Sequence, residues 1–182
     1  MAVPELALSH FGFFVHDLAR MERFYTEVLG FVVTDRGDLR GQALLFLSRD
    51  PTEHHQIVMA AGRTGKPDEK VINQLSFRVG SLDDLKTFHG QIAQRTDIHD
   101  IAPITHGNAW SVYFRDPEGN RIEVFVDAPW YVTQPRREAL DLSLPTDEIM
   151  RQTEAAIRDD PGFMPVAQWQ ADFKTRLSGS QH

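Results

Sequence analysis

An internal repeat sets the strongest limit on the fold of this chain. A shift of 64 residues places Phe13 over Phe77, together with the apolar residues around each. Further along, the tripeptide Arg-Asp-Pro at 49–51 recurs at 115–117, a shift that is two residues longer than the first. Because these coincidences keep the same order, they indicate a duplication, and both copies are expected to fold with one topology.

The apolar patterns predict the same elements in each half. Short runs rich in Phe, Val and Leu predict strands, and Asp-Pro turns separate the later ones. Between the first two strands the period becomes helical: Asp17 can cap one helix, and Ser81 opens a Ser-x-x-Asp capping pattern ahead of the other. Each half is therefore predicted to be βαβββ. The predicted strands cover residues 6–15, 31–35, 42–48 and 54–60, then 71–79, about 101–105, 108–115 and 121–126.

The repeat stops at residue 127, after which five prolines break the chain into short pieces. Thr146 is predicted to cap a helix in this tail. We predict one domain over 1–182, built from a module at 6–61, a module at 71–126 and a C-terminal wrapping extension at 127–182.

Composition excludes several chemistries. The 182 residues include no cysteine, so any metal must be held by His, carboxylate, amide or water. A formal net charge of -7 is unsuited to neutralising phosphates. No apolar run approaches the roughly 18 residues of a membrane span, and no basic region precedes an apolar core at the N-terminus. We therefore expect a cytoplasmic protein that binds neither nucleic acid nor membrane.

Two stretches carry a resemblance to a known family. The first helix ends in Leu29-Gly30-Phe31, and the second module closes on Asp-Pro-Glu-Gly-Asn-x-Ile-Glu at 116–123. Over residues 6–126 the chain resembles the vicinal oxygen chelate superfamily. The resemblance implies the α+β class: two paired βαβββ modules forming a cupped, incompletely closed mixed β-sheet, here with a C-terminal helical extension. It also implies a divalent metal inside the cup, held by the first strand of each module and the last strands.

Three residues stand at metal positions that the resemblance implies. His10 takes the first-strand position of the first module, and Glu123 the last-strand position of the second. A carboxylate within an apolar strand is costly unless it ligates a metal or is paired, so a salt bridge to an arginine is the alternative for Glu123. Gln74 stands where ring-cleaving dioxygenases carry histidine. Its amide oxygen is a weaker donor, and Gln74 is either a ligand or outside the metal shell.

The fourth position falls on the pair His54-His55, which is similar to one in type I extradiol dioxygenases. Neighbouring strand residues point to opposite faces, so only one of the two is expected to face the cavity. By resemblance we choose His55 as the acid–base, with His54 as the alternative. Tyr113 lies ten residues before Glu123, as an active-site tyrosine of these dioxygenases does, and His106 matches their second histidine if a short gap is allowed.

The favoured interpretation is a metal-dependent extradiol dioxygenase that cleaves a catechol-type aromatic diol with O₂, a step of aromatic compound degradation. Fe(II) is the first expected cofactor, with Mn(II), Ni(II) and Zn(II) as alternatives, and a homodimer is expected. The candidate walls of an apolar cavity are Phe13, Phe46, Phe77 and Trp110. A glyoxalase-like metal-dependent lyase or isomerase would instead use four ligands: His10, Gln56, Gln74 and Glu123. A non-catalytic protein that binds a small molecule such as an antibiotic is a further alternative.

Overall fold

The computed structural model describes residues 7–66, 69 and 72–179. The first repeat folds as β1 (Phe11–Val15), α1 (Leu18–Glu27), β2 (Val32–Leu39), β3 (Gln42–Ser48) and β4 (Ile57–Ala61). The second folds as β5 (Leu75–Arg78), α2 (Leu82–Ala93), β6 (Ala102–Thr105), β7 (Ala109–Arg115) and β8 (Arg121–Asp127). The extension adds β9 (Trp130–Tyr131), β10 (Glu138–Ala139), α3 (Thr146–Ile157), β11 (Met164–Pro165) and α4 (Val166–Gly179). Among the described residues, none of the helices combines the length and the apolar character that a membrane span requires.

The two repeats build sheets of the same topology. The first sheet has the order β1-β4-β3-β2, and the second has the order β5-β8-β7-β6 with β10 added at the edge. In each sheet the first and last strands of the repeat pair in parallel, while the middle strands run antiparallel. Over the described residues neither sheet closes on itself. The duplication, the βαβββ order and the α+β class are confirmed.

Local side chains explain where the repeated helices begin. Asp17 accepts a hydrogen bond from the backbone N–H of Arg20 at 2.9 Å, and Ser81 accepts one from that of Asp84 at 3.1 Å. Both bonds satisfy an N–H that the first helical turn leaves free, so both predicted caps are confirmed.

The predicted cap at Thr146 is wrong. Pro145 occupies the cap position of α3 without any side-chain bond to the helix, and Thr146 is the first helical residue. The Thr146 hydroxyl donates instead to the carboxylate of Asp83, next to the start of α2. Pro145, with φ -56° and ψ 148°, is the non-helical residue that precedes the helix, so Thr146 already lies inside the first turn and its hydroxyl is not at the cap position.

Three strands begin later than the sequence pattern predicts. β1 begins at Phe11, not residue 6; β4 begins at Ile57, not 54; and β5 begins at Leu75, not 71. Residues 6 and 71 lie outside the described part of the chain. The predicted site residues His10 and Gln74 therefore stand one position before a strand, and His54 and His55 lie in the loop that precedes β4.

The chain divides into two compact units. The N-terminal unit comprises the described residues of Glu5–Asn73 with Arg115–Asn120, and the C-terminal unit those of Gln74–Phe114 with Arg121–His182. That all 182 residues form one domain, and that the modules pair around a cup, stay predictions. The N-terminal core includes Val15, Met21, Tyr25, Leu47 and Met59. The C-terminal core includes Leu85, Ile92, Val112, Phe114 and Ile122.

Within the N-terminal unit, the turn at Arg115–Asn120 is held by buried carboxylates. Glu118 accepts hydrogen bonds from the backbone N–H groups of His16 at 2.7 Å and Asp17 at 2.9 Å, and its other oxygen pairs with Arg63 at 3.2 Å. Both side chains of this ion pair are 5% exposed. The same turn supplies Asp116, whose pKa is raised by burial despite hydrogen bonds from its own loop.

Candidate functional site

Glu123 is the centre of a hydrogen-bonded cluster in the C-terminal unit. It lies in β8, is 7% exposed, and stands in register with Ser76 on the neighbouring strand β5. One carboxylate oxygen accepts from Ser111 at 2.8 Å and from Tyr113 at 2.5 Å. The other accepts from Ser76 at 2.5 Å and from Gln74 at 3.0 Å. Side chains from the strands on both sides of β8, together with Gln74 just before β5, thus hold one carboxylate in place.

The electrostatics of this cluster favour a cation. All four donors to Glu123 are neutral, and a buried carboxylate without an opposite charge is costly. The Nε2 atom of His106 lies 3.9 Å from the carboxylate. Among the residues that the structure describes, no arginine forms a salt bridge with Glu123, which was the predicted alternative.

Tyr113 connects Glu123 to His106. Its hydroxyl lies 2.5 Å from Glu123 Oε1 and 2.9 Å from His106 Nε2. Burial raises the pKa of the Tyr113 phenol well above its usual value, and the Glu123 charge raises it further. The phenol therefore keeps its proton near neutral pH and acts as a hydrogen-bond donor, with two acceptors in reach for one hydrogen.

His106 lies in the turn between β6 and β7. Its Nδ1 atom lies 2.6 Å from the backbone carbonyl of Arg136. Because a carbonyl only accepts, Nδ1 carries a hydrogen, and Nε2 is the ring atom that faces Tyr113. The predicted residues Tyr113, His106, Gln74 and Glu123 are thus brought together in one network.

Gln74 presents its amide nitrogen to this network. The NH₂ group lies 3.0 Å from Glu123 Oε2 and 3.0 Å from the Ser76 hydroxyl. Coordination would use the other end of the amide, since only the oxygen is a ligand for a cation. To act as a ligand, Gln74 would therefore have to rotate its amide about the Cγ–Cδ bond, so that the oxygen takes the place of the nitrogen.

The N-terminal unit holds the remaining predicted residues in a second group. The rings of His10 and His55 lie 4.3 Å apart between centroids, and Ser9 Oγ lies 3.3 Å from His10 Nδ1. Burial lowers the pKa of His55, and the neighbouring imidazoles of His10 and His54 lower it further. The His55 ring is thus neutral near pH 7, and it contacts the ring of the predicted ligand His10.

The strand alternation argument for the His54-His55 pair is wrong, because neither residue is in a strand. Gln56 closes their loop at its base. Its backbone N–H donates to the carbonyl of Leu47 at 2.9 Å, and its Oε1 accepts from the backbone N–H of Arg49 at 3.0 Å. The Nδ1 atoms of His54 and His55 lie 2.9 Å apart. The choice of His55 over His54 as the acid–base stays a prediction, and the contact of His55 with His10 favours it.

Trp110 is not on the face of Glu123. It alternates with Ser111 and Tyr113 along β7 and is therefore directed to the opposite face, where its indole N–H donates to Thr153 of α3 at 2.8 Å. Trp110 is 3% exposed, so it is a core residue. Its prediction as a cavity wall was wrong because the extension covers that side of the sheet.

Sequence comparison decides the family. The Glyoxalase/Bleomycin resistance protein/Dioxygenase superfamily matches residues 7–124 of the chain. The chain belongs to this superfamily. Biphenyl-2,3-diol 1,2-dioxygenase 3 of Rhodococcus globerulus is 30% identical over 125 residues, which are 66% of this chain and 63% of that protein. Biphenyl-2,3-diol 1,2-dioxygenase 2 of the same organism is 28% identical over 91 residues, 48% of this chain and 47% of that one. The matches thus span less than two thirds of these relatives.

Solved structures of the superfamily show the same fold. A glyoxylase/bleomycin resistance protein/dioxygenase domain from Frankia sp. EAN1pec has a TM-score of 0.57 at 22% identity, covering 68% of this chain and 98% of that one. A fosfomycin resistance protein from Mesorhizobium loti has a TM-score of 0.50 at 21% identity, covering 65% and 89%. The resemblance predicted from the sequence is confirmed at the level of the superfamily.

Members of this superfamily bind divalent metals such as Fe, Mn and Zn. In the part of the chain that the structure describes, no three His, Asp or Glu side chains converge as a metal site. The chemistry of Glu123 and Gln74 nevertheless fits, because a buried carboxylate and an amide oxygen are ligands that hard divalent cations accept. Binding would require one hydroxyl to release Glu123. His10 belongs to the N-terminal unit, and its ligation stays a prediction.

Two residues of the cluster were missed by sequence reasoning although a signal existed. Ser76 stands two positions after Gln74, and Ser111 two before Tyr113, so alternation alone puts each serine on the face of its predicted neighbour. The sequence offered no such signal for the Arg136 carbonyl, because every residue carries a backbone carbonyl.

Proposed function

We propose that this protein is a metal-dependent extradiol dioxygenase that cleaves a catechol-type aromatic diol with O₂. The observation that carries the proposal is the chain of contacts from Glu123 through the Tyr113 hydroxyl to His106. It supplies two hydrogen-bonding groups beside a buried carboxylate able to ligate a metal. The match to two biphenyl-2,3-diol dioxygenases supports the same class of substrate.

The ligands that we propose are Glu123, Gln74 and His10, with Fe(II) as the cofactor and Mn(II), Ni(II) or Zn(II) as alternatives. When bound, the metal would supply the Lewis-acid and redox chemistry that joins diol and O₂. Tyr113, which keeps its proton, would donate a hydrogen bond to a substrate oxygen in place of its bond to Glu123.

The remaining roles concern proton movement. His106 would accept a hydrogen bond from a substrate hydroxyl at Nε2, since its ring hydrogen is on Nδ1 and is engaged by the Arg136 carbonyl. We propose that His55 takes a proton from a diol hydroxyl at a ring nitrogen and later returns it. A proton acceptor is needed because the diol is neutral before it binds and must lose a proton to act as a chelating anion.

The test uses purified protein loaded anaerobically with Fe(II) and a panel of substituted catechols that includes biphenyl-2,3-diol. We expect O₂ uptake in an oxygen electrode together with a coloured ring-opened product. Glu123→Gln, which keeps the shape and removes the charge, should abolish both signals and lower the bound iron. No O₂ uptake with any of the catechols overturns the proposal.

One observation favours a second candidate, a glyoxalase-like metal-dependent lyase or isomerase. It is the amide of Gln74 beside Glu123, where an imidazole is expected of the dioxygenases. In this alternative Gln56 would join His10, Gln74 and Glu123. Turnover of a hemithioacetal by the Ni(II)- or Zn(II)-loaded protein, without O₂ uptake, would favour it.

We also propose a homodimer in the cytoplasm, with a small aromatic molecule and O₂ as its partners. The dimer rests on the resemblance alone. Light scattering on the protein as it elutes from a size-exclusion column tests the dimer directly. A mass of two chains is expected, and a mass of one chain at micromolar concentration contradicts it.

A further inference from the structure

We infer that the C-terminal extension forms part of the active site, with Gln134 and Arg136 as positioning residues for His106. The inference rests on the proposed function, because that function gives His106 its role. Both residues lie beyond the 7–124 segment that matches the superfamily. They are therefore a feature of this chain's extension and not of the shared segment.

The first observation is the contact to the imidazole ring. The carbonyl oxygen of Arg136 lies 2.6 Å from His106 Nδ1, and the Tyr113 hydroxyl lies 2.9 Å from Nε2. The carbonyl can bond only to a hydrogen on Nδ1, so it selects the ring form with Nδ1–H. Without this acceptor, the other neutral tautomer, with its hydrogen on Nε2, would become available.

The second observation is that the side chain of Gln134 holds the carbonyl in place. Its NH₂ group donates to the backbone oxygen of His106 at 2.8 Å, to Asn108 Oδ1 at 3.2 Å and to the backbone oxygen of Val132 at 3.3 Å. Its oxygen accepts from the backbone N–H of Arg136 at 3.0 Å. One amide therefore links the backbone of the histidine to the backbone of the residue that contacts its ring.

The third observation is close packing of the extension on the turn that carries His106. Gly107 has a φ of 77°, and a Cβ added there would lie 2.8 Å from a Val132 methyl and 2.9 Å from an Ile157 methyl. The Arg136 side chain anchors the same segment through Glu138 at 2.6 Å and through Asp160. The turn accepts only glycine because the extension lies against it.

These contacts assign the extension a task in the proposed reaction. Gln134 and the Arg136 carbonyl fix both the position of His106 and the ring nitrogen that it offers to Tyr113. Neither residue touches the reacting atoms in this assignment, since each acts through His106. Loss of the amide should therefore change the ring form of His106 and the turnover together.

The experiment compares Gln134→Met, which keeps the length of the side chain without hydrogen bonds, with the matched control Gln168→Met. Gln168 is an exposed glutamine of the same extension whose amide donates to Asp172 at 2.8 Å. The first readout is the ¹⁵N spectrum of the His106 ring in the intact chain. We expect hydrogen on Nδ1 in the wild type and control, and a shift towards Nε2 in Gln134→Met.

The second readout is turnover of a catechol by the iron-loaded protein, for which we expect kcat/KM to fall about tenfold in Gln134→Met and to stay unchanged in the control. Ring signals that do not move, or equal losses in both variants, overturn the inference. A loss of kcat/KM with unmoved ring signals also overturns it, since it reports general loosening. If the wild type cleaves no catechol, the proposed function fails, and the ring spectra still decide the positioning.

Discussion

Replacing Glu118 by alanine tests how the turn at 115–120 is held in the N-terminal unit. The substitution removes the acceptor of two backbone N–H groups, those of His16 and Asp17, at 2.7 and 2.9 Å. It also leaves Arg63, whose side chain is 5% exposed, without its ion-pair partner. The expected loss is therefore that of breaking a buried ion pair from one side.

The magnitude follows from this burial. Removing one partner of a buried pair costs about 3–5 kcal/mol, because the other charge stays desolvated. For a protein of this length, 1 kcal/mol lowers Tm by about 2–4 °C, so the expected decrease is roughly 6–20 °C. Glu118→Gln keeps a carbonyl oxygen for the two N–H groups and should lose less.

The assay is denaturant unfolding followed by circular dichroism, with Glu154→Ala as the control. Glu154 pairs with Arg158 on the surface of α3 at 3.0 Å, and such exposed pairs contribute about 0.5 kcal/mol. If Glu118→Ala loses no more unfolding free energy than the control does, the expectation is wrong, because the buried ion pair would then be no more costly to break than an exposed one.

Three further perturbations address the site and the buried acid. Tyr113→Phe removes the hydroxyl between Glu123 and His106, and kcat for a catechol should fall roughly tenfold to a hundredfold in steady-state assays; an unchanged kcat contradicts the donor role. Gln74→His should raise Fe(II) affinity in calorimetry, since imidazole is the stronger ligand, whereas unchanged affinity would place residue 74 outside the metal shell. Because burial raises the pKa of Asp116, the folded state binds its proton more tightly than the unfolded state does. The unfolding free energy of the wild type relative to Asp116→Asn should thus decrease as pH rises above about 4, and a constant or increasing difference is the contrary result.

The repeated elements could be predicted because apolar period and turn residues follow directly from backbone geometry. The period of two in the strands and the caps at Asp17 and Ser81 were sufficient for both βαβββ modules. Glu123 could be placed by the same rule, since alternation along β8 puts it on the face of Arg121 and Phe125, opposite Ile122 and Val124. The C-terminal cluster was therefore largely accessible from the sequence.

The ends of strands could not be predicted, and the histidines lie there. His54 and His55 continue an apparent strand pattern, yet the backbone and side chain of Gln56 close a loop around them. Such tertiary hydrogen bonds leave no trace in local periodicity. The same holds for the Arg136 carbonyl on His106, which connects residues 30 positions apart.

The most direct test of the proposed function follows the fate of molecular oxygen. The Fe(II)-loaded protein is given biphenyl-2,3-diol under ¹⁸O₂, and the ring-opened product is analysed by mass spectrometry. A dioxygenase places oxygen atoms from O₂ in that product, so we predict ¹⁸O label in it, in proportion to the O₂ consumed. A product that carries no ¹⁸O, or turnover that proceeds equally well without O₂, would contradict the account.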